Sequence, residues 1–473
     1  MDNAMDDRVS MKTAFRGEAE PKTACFLHTI MGATTRSGII QERKSKMKHP
    51  NRTCAARAAW MPLALAVFLM TFPPGADAAP ATRYEHPANR VVTDVLPPEM
   101  IQGPHFRVEN KVVSYGYMNR FTVTSDFGVF EAQGNTALRK LLKEIQAIAR
   151  LREIRRGDVY ADAVKKAGKA PLEFGQNLIT DPVDTITGVP RGVHRLIDNV
   201  RLNRSTPRGA HDDPRMEQVL SVSAHKREYA AALGVDVYSS NAVLQKELNS
   251  VGWAGALGSL TVSAAMAPFG GPAVLALQSS RLAQQMNDLL KTETPARLRQ
   301  INAEKLRAMG VPADLAESFL SHPAFTPRHN TIIVTSLWAL GNAQGRDNFL
   351  HLALSADDEE SANFYQNMAE IMRGYHEKTS PIRQITVSSV LVLARAANGS
   401  VLVPFPLDHG VWTERAADVA DSFMRGREHQ SKGSKPRVEL WVTGTLSPLF
   451  REQMARRGVK VNENVYRQVE LMD

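Results

Sequence analysis

The sequence predicts an α+β fold: a predominantly helical middle, small antiparallel strand regions near the mature N-terminus and at 384–405, and a C-terminal β-α-β unit. Three observations carry this expectation. Leu138, Leu141, Leu142, Ile145, Ile148 and Ala149 recur at helical spacing, with Arg and Lys on the opposite face. Residues 384–405 carry β-branched and aliphatic runs, Ile385-Thr386-Val387, Val390-Leu391-Val392-Leu393 and Val401-Leu402-Val403, with the hairpin dipeptide Asn398-Gly399 between the last two. Val438-Glu439-Leu440-Trp441-Val442, a helical stretch from Pro448 to Arg457, Gly458 and Val459-Lys460-Val461 then read as strand, helix, stop and strand.

Taken in order, the chain opens with 46 polar residues of mixed charge and no periodicity, read as a disordered start-site extension. Met47-Lys48 begins a segment with the three parts of a secretory signal. Lys48, Arg52 and Arg57 are its basic region, and Met61–Phe72 is its uncharged apolar run. Pro73-Pro74-Gly75 breaks that run before Ala76-Asp77-Ala78, which places small residues where a signal peptidase cuts, between Ala78 and Ala79. Twelve residues rise only about 18 Å as a helix, short of the roughly 30 Å hydrocarbon core, so a signal is favoured over a span. Of the 473 residues, 43% are hydrophobic and 23% charged, an ordinary globular balance. The first 78 hold 11 Lys and Arg against 7 Asp and Glu, so the net charge falls from +9 to +5 in the remaining 395. That excess is dispersed and argues against nucleic acid, which requires a clustered basic stripe. Cys25 and Cys54 both precede the cut. The mature chain is therefore expected to lack thiols, disulfides and thiolate metal sites, which suits a bacterial periplasm.

Residues 79–104 contain five prolines and read as an extended arm ahead of a main α+β domain over 105–425. Strands are expected between Phe106 and Phe130, punctuated by Gly116, Asp126 and Gly128. Helices follow from Gly134, over 158–170, over 214–233 after an exposed loop at 203–214, and then over 281–321, 331–354 and 357–376. The last opens on Asp357, Asp358, Glu359 and Glu360, acids that suit a helix N-terminus. Between Asp181 and Arg204 an apolar helical face is interrupted by Gly188, Pro190 and Gly192 and decorated with arginines. A helix near 413–425 and a charged linker at 426–437 lead to the C-terminal unit, 438–473.

The most distinctive functional feature is Val251–Leu277, 27 residues without a charge. Gly252, Gly255 and Gly258 are spaced by three, Leu260 follows, and Pro268-Phe269-Gly270-Gly271-Pro272 divides the run. Twelve of the 27 are Gly or Ala, so close-packed core helices joined by the turn around Phe269 are expected, with a membrane-inserting hairpin or span and a pocket wall as the alternatives. Four histidines, His322, His329, His351 and His376, lack zinc spacing, so no metal site or cofactor is expected. Pro406-Leu407-Asp408-His409-Gly410 follows a strand, where loops present side chains, and pairs a carboxylate with an imidazole. Asp408 and His409 are the candidate catalytic residues, Asp408 orienting His409 as general base. The nucleophile is missing, since there is no G-x-S-x-G and Ser388-Ser389 carry no motif. Gly444 and Ser447 sit where a helix start can meet an anion, though an ordinary loop and N-cap explains them as well. Together these observations, with no catalytic signature among them, predict an exported, non-enzymatic periplasmic protein that works by association with the envelope or a partner. A secreted hydrolase built on Asp408 and His409 is the first alternative, and membrane insertion through 251–277 the second.

Overall fold

In the computed structural model, residues 84–167, 214–258, 260–266, 281–388, 391–430 and 436–472 are described, and they form an α+β structure of two larger sheets, separated in sequence by helices, and one two-stranded sheet. The signal region, with Ala76, Ala78 and Ala79, the arginine-decorated stretch at 181–204 and Phe269 all lie outside the described residues.

The first sheet is antiparallel, in the order β1 (Arg90–Val91), β4 (Lys111–Ser114), β5 (Asn119–Ser125), β3 (Phe106–Val108) and β2 (Gln102–Gly103), with β6 (Gly128–Gln133) also on β5. The described part of the proline-rich arm is thus built into the fold. β1 pairs with β4, a short helix α1 spans Pro98–Ile101, and Val92 and Leu96 are buried. Alternation along β5 turns Phe121 and Val123 inward, onto Leu138, Leu141, Leu142 and Ile145 of α2 (Asn135–Arg156). Those are the positions that the helical periodicity selects. Each such side chain, fully buried, contributes about 1.5–3 kcal/mol of transfer free energy.

The other end of α2 belongs to a helical layer with α3 (Asp158–Ala167), α4 (Pro214–Leu233), α5 (Ala242–Gly258) and α6 (Val262–Met266). The three-residue glycine spacing of α5 is used for close approach. A Cβ at Gly252 would meet Val222 O at 3.1 Å, one at Gly255 the His225 ring at 2.6 Å, and one at Gly258 the Ala163 carbonyl oxygen at 2.1 Å. Leu260, just beyond, is 1% exposed. The described part of the apolar run breaks between Gly258 and Val262, earlier than the Pro268 break read from the sequence. Among the described residues no helix is long and apolar enough to cross a membrane.

Each of the two long helical runs that follow is divided. The expected 281–321 helix is three: α7 (Arg281–Thr292), α8 (Pro295–Ala308) and α9 (Ala313–Leu320). Thr294 caps α8 ahead of Pro295, and Gly310, at φ 77°, turns the chain after it. The expected 331–354 helix is α10 (Pro327–Ala339) and α11 (Arg346–Ala353), separated at Gly341 (φ 60°) and Gly345 (φ 74°). The acid-led helix is α12 (Glu359–Lys378), with Asp358 and Ser361 forming a capping box.

The strand regions at 384–405 and 438–461 form one sheet, ordered β13 (Val459–Asn462), β11 (Val438–Val442), β9 (Val401–Phe405), β8 (Leu391–Ala396) and β7 (Ile382–Ser388). β7, β8 and β9 are antiparallel, whereas β9, β11 and β13 are parallel. The parallel strands are joined by α13 (Glu414–Gln430) and α14 (Pro448–Arg456), so the C-terminal β-α-β unit completes the sheet. Val401, Val403, Val438, Leu440 and Val442 pack into one apolar cluster with Ala417 and Met454 of these helices. Trp441, with the opposite alternation, meets Tyr375 of α12 edge-on at 4.9 Å between ring centroids.

Candidate functional site

Parallel strands send successive loops to their C-terminal edge, the place where α/β units hold ligands. There the loop after β9 and the loop after β11 come together. Two short strands, β10 (His409–Gly410) and β12 (Thr445–Leu446), pair in parallel, and the His409 Nδ1 lies 2.8 Å from Thr445 Oγ1. The approach depends on Gly444, whose Cβ would fall 1.9 Å from the Asp408 carbonyl oxygen. The Asp408–His409 loop and the Gly444–Ser447 loop, read separately in the sequence, are therefore one structural unit.

Within it, Asp408 and His409 face different partners. Asp408 accepts a hydrogen bond from the Asn135 backbone N–H at the start of α2 (2.9 Å), and another from the Asn119 N–H (2.9 Å). The carboxylate caps a helix that begins 273 residues earlier and ties the first sheet to the second. Burial pushes its pKa up to about 6, against the lowering effect of those two amides, Arg139 and Arg90. His409 is half-buried; burial and Arg90 lower its pKa, while Glu85 opposes them. Its observed partner is a hydroxyl, so Asp408 does not orient it, and the expected carboxylate–imidazole pair is not formed.

Three further groups complete this edge. Glu85 takes the Trp412 N–H at 2.6 Å and the Ser447 hydroxyl at 2.5 Å, while its own N–H donates to Trp412 O. Ser447 is the N-cap of α14, accepting from Phe450 N. Glu463 accepts from Leu446 N (2.5 Å) and from Arg451 Nε (3.0 Å). Carboxylates of the chain itself thus stand at the amides next to the starts of α13 and α14. The sequence placed Ser447 and Gly444 correctly in a loop and N-cap. It offered no sign of Glu85, which lies 362 residues from Ser447.

A second polar cluster lies where α2, the 234–241 turn, α10 and the start of α12 meet. Lys140 donates to Glu359 at 2.8 Å and stands 3.4 Å from Asp236, its side chain 17% exposed. Glu144, one turn along α2, is held by Asn241 Nδ2 at 3.1 Å. Burial disfavours the Lys140 ammonium, yet Asp236, Glu359 and Glu144 outweigh it and hold its pKa above the ordinary lysine value. Asp236 and Glu359, despite burial, are held below the usual carboxylate range by Lys140. Burial raises Glu144. His329, fully enclosed, is lowered by burial and bonds Asn363 Oδ1 through Nε2 (3.0 Å), with Nδ1 2.9 Å from Thr326 Oγ1 in the cap of α10. Lys140 holds its proton firmly, and the cluster joins four elements. Lys140 and Glu144 were legible only as the polar face of a helix, Asp236 as a turn residue and Glu359 as a helix-start acid.

The other sequence candidates have local roles. His322 Nδ1 accepts from Ala324 N, and His376 Nδ1 accepts from Ile382 N at the entry to β7. Among the described residues no group of three or more His, Cys, Asp or Glu is arranged to hold a metal ion. Asp126 sits in the β5–β6 turn, where its carboxylate lies 2.9 Å from His105 Nδ1. Gly252, Gly255, Gly258 and Leu260 belong to helix packing, as described above. Comparison with protein-family models, with curated proteins and with solved structures finds no match to this chain.

Proposed function

We propose that this chain is an exported protein of the bacterial envelope that acts by holding a partner rather than by turning over a substrate. The observation that carries this reading is how the groups best placed for chemistry are used. Both oxygens of Asp408 accept backbone amides, and Glu85 joins a backbone amide to the N-cap hydroxyl of α14. A general base must reach the proton it removes and needs a group that orients it. His409 instead faces Thr445 Oγ1, with Asp408 turned to the start of α2.

Export rests on the basic region, apolar run and Ala-x-Ala pattern between Met47 and Ala79. A partner is placed ahead of membrane insertion because α5 uses its glycines against Val222, His225 and Ala163 of the same fold. The test is to fractionate cells making the full chain with a C-terminal tag, wash the membranes with alkaline carbonate, and sequence the product's N-terminus. The reading expects an extracytoplasmic product beginning at Ala79 and released by the wash. A cytoplasmic product retaining Met47 overturns export, and a carbonate-resistant one overturns the partner in favour of insertion. His409→Ala should preserve any phenotype of the intact gene. A folded His409→Ala protein that loses the phenotype would transfer the reading to a hydrolase.

A further inference from the structure

A half-buried lysine lies outside both clusters. Lys226, on α4, lies against α5, and the Cβ position of Gly252 is 3.5 Å from Lys226 Cβ. Its amine donates to Gln245 Oε1 at 2.5 Å. The orientation of that amide is fixed from the other end, because Gln245 Nε2 donates to Val237 O (3.1 Å) and Ser239 O (2.8 Å). Gln245 therefore presents its oxygen, a neutral acceptor, to the amine.

Among the described residues, charged groups on the packed elements are directed elsewhere. On α5, Glu247 bonds Arg152 and Arg155 of α2, and Lys246 is a like charge. On α4 itself, Arg227 donates to Lys291 O of α7, Glu228 is exposed, and His225 Nδ1 lies 2.9 Å from Ser221 O. Asp288 of α7 is exposed, as are Lys165 and Lys166 of α3. Among the described residues no carboxylate forms an ion pair with Lys226, and burial alone brings its pKa down to about 8. The residue keeps intermediate exposure.

We propose that Lys226 is a covalent capture site for small uncharged aldehydes and ketones, which its amine binds as an imine. The nitrogen lone pair forms a bond to the carbonyl carbon, and the C=O electron pair moves to oxygen, which gains a proton as nitrogen loses one. The carbinolamine then expels that hydroxyl as water with the second nitrogen proton, leaving C=N with no oxidant or reductant consumed. The surroundings select this product class. A site that disfavours an ammonium also disfavours a carbamate anion, whereas a neutral imine carries no charge to desolvate. About a tenth of an amine with this proton affinity is neutral at pH 7, against roughly 0.04% for a solvent lysine. Reactive lysines elsewhere are activated by the same desolvation. The proposal is independent of the envelope role.

The test treats the full chain with benzaldehyde and cyanoborohydride at pH 7, which reduces the imine to a stable secondary amine, and maps every lysine by peptide mass. Lys226 is expected to be labelled at least about tenfold faster than the median lysine at pH 7. Labelling no faster than the median overturns the proposal. Gln245→Glu, which sets a carboxylate beside the amine, should slow Lys226 about tenfold at pH 7 and leave other lysines unchanged. An unchanged rate in a folded Gln245→Glu protein also overturns it. 4-Formylbenzoate should react more slowly at Lys226 than benzaldehyde, and an equal or faster rate overturns the assignment to uncharged carbonyls.

Discussion

Lys140 and Lys226 are both enclosed lysines on helices, and their surroundings drive them in opposite directions. Lys140 stands among Asp236, Glu359 and Glu144 and keeps its proton more firmly than a solvent lysine. Lys226 stands against an amide oxygen and a glycine backbone, and burial brings it to about 8. Desolvation is the largest influence on both. The difference lies in what answers it: charges in one place, one neutral dipole in the other. One environment makes a fastener between elements, and the other makes a nucleophile.

The largest expected effect breaks the first side of this comparison. Lys140→Met removes the cation that answers Asp236 and Glu359 and should cost on the order of 3–5 kcal/mol in denaturant unfolding. A loss below about 1 kcal/mol would mean that the carboxylates find water or other cations. Asp408 supplies an intermediate case, a buried charge answered mainly by backbone amides. Its folded pKa, about 6, lies above the unfolded value of roughly 3.9. The unfolded chain therefore releases this proton first, and the contribution present at low pH is lost as pH rises from about 4 to 6. Relative to Asp408→Asn, wild type should lose on the order of 3 kcal/mol across that window. Denaturant midpoints at several pH values check it, and a constant difference would contradict it.

Two smaller effects sharpen the second side. Gly258→Ala forces a methyl group toward Ala163 O, which its Cβ would approach to 2.1 Å, and should cost about 1–3 kcal/mol. Thermal unfolding of that variant tests whether the α5 glycines serve packing. Lys226→Met should shift stability least, by no more than about 1 kcal/mol at pH 7 and in either direction. If it proves as costly as Lys140→Met, Lys226 has a structural bond that the comparison has missed.

Much of the fold was legible because it depends on local patterns. The Leu138–Ile145 periodicity names the face of α2 that meets the first sheet. Asn398-Gly399 marks the β8–β9 turn, where Gly399 has φ 82°. Gly252, Gly255 and Gly258 announce close helix approach, though their partners, Val222, His225 and Ala163, are not contiguous in the sequence. The helix breaks at Gly310 and Gly341 are hidden in the sequence because apolar periodicity resumes beyond each, and periodicity does not register one residue of positive φ. The candidate sites were far less legible. Asp408 and His409 are adjacent in sequence, but consecutive residues of a strand or extended loop point apart, and each found a partner in another element. Glu85 with Ser447, Asp408 with Asn135, and Lys140 with Glu359 are joined only by the tertiary fold. Gln245 and Lys226 are only 19 residues apart, yet nothing in their residue types tells that no acid stands between them.

The most direct test of the claim that neighbours rather than burial set these two lysines apart is an NMR titration. The full chain, labelled with lysine carrying 13C at Cε, would be followed from pH 6 to 11, with Lys140→Arg and Lys226→Arg assigning the two signals. The account predicts that the Lys226 signal moves with a midpoint near pH 8 while the Lys140 signal stays unmoved to pH 11. Both signals moving together near the solvent value of about 10.4 would contradict it.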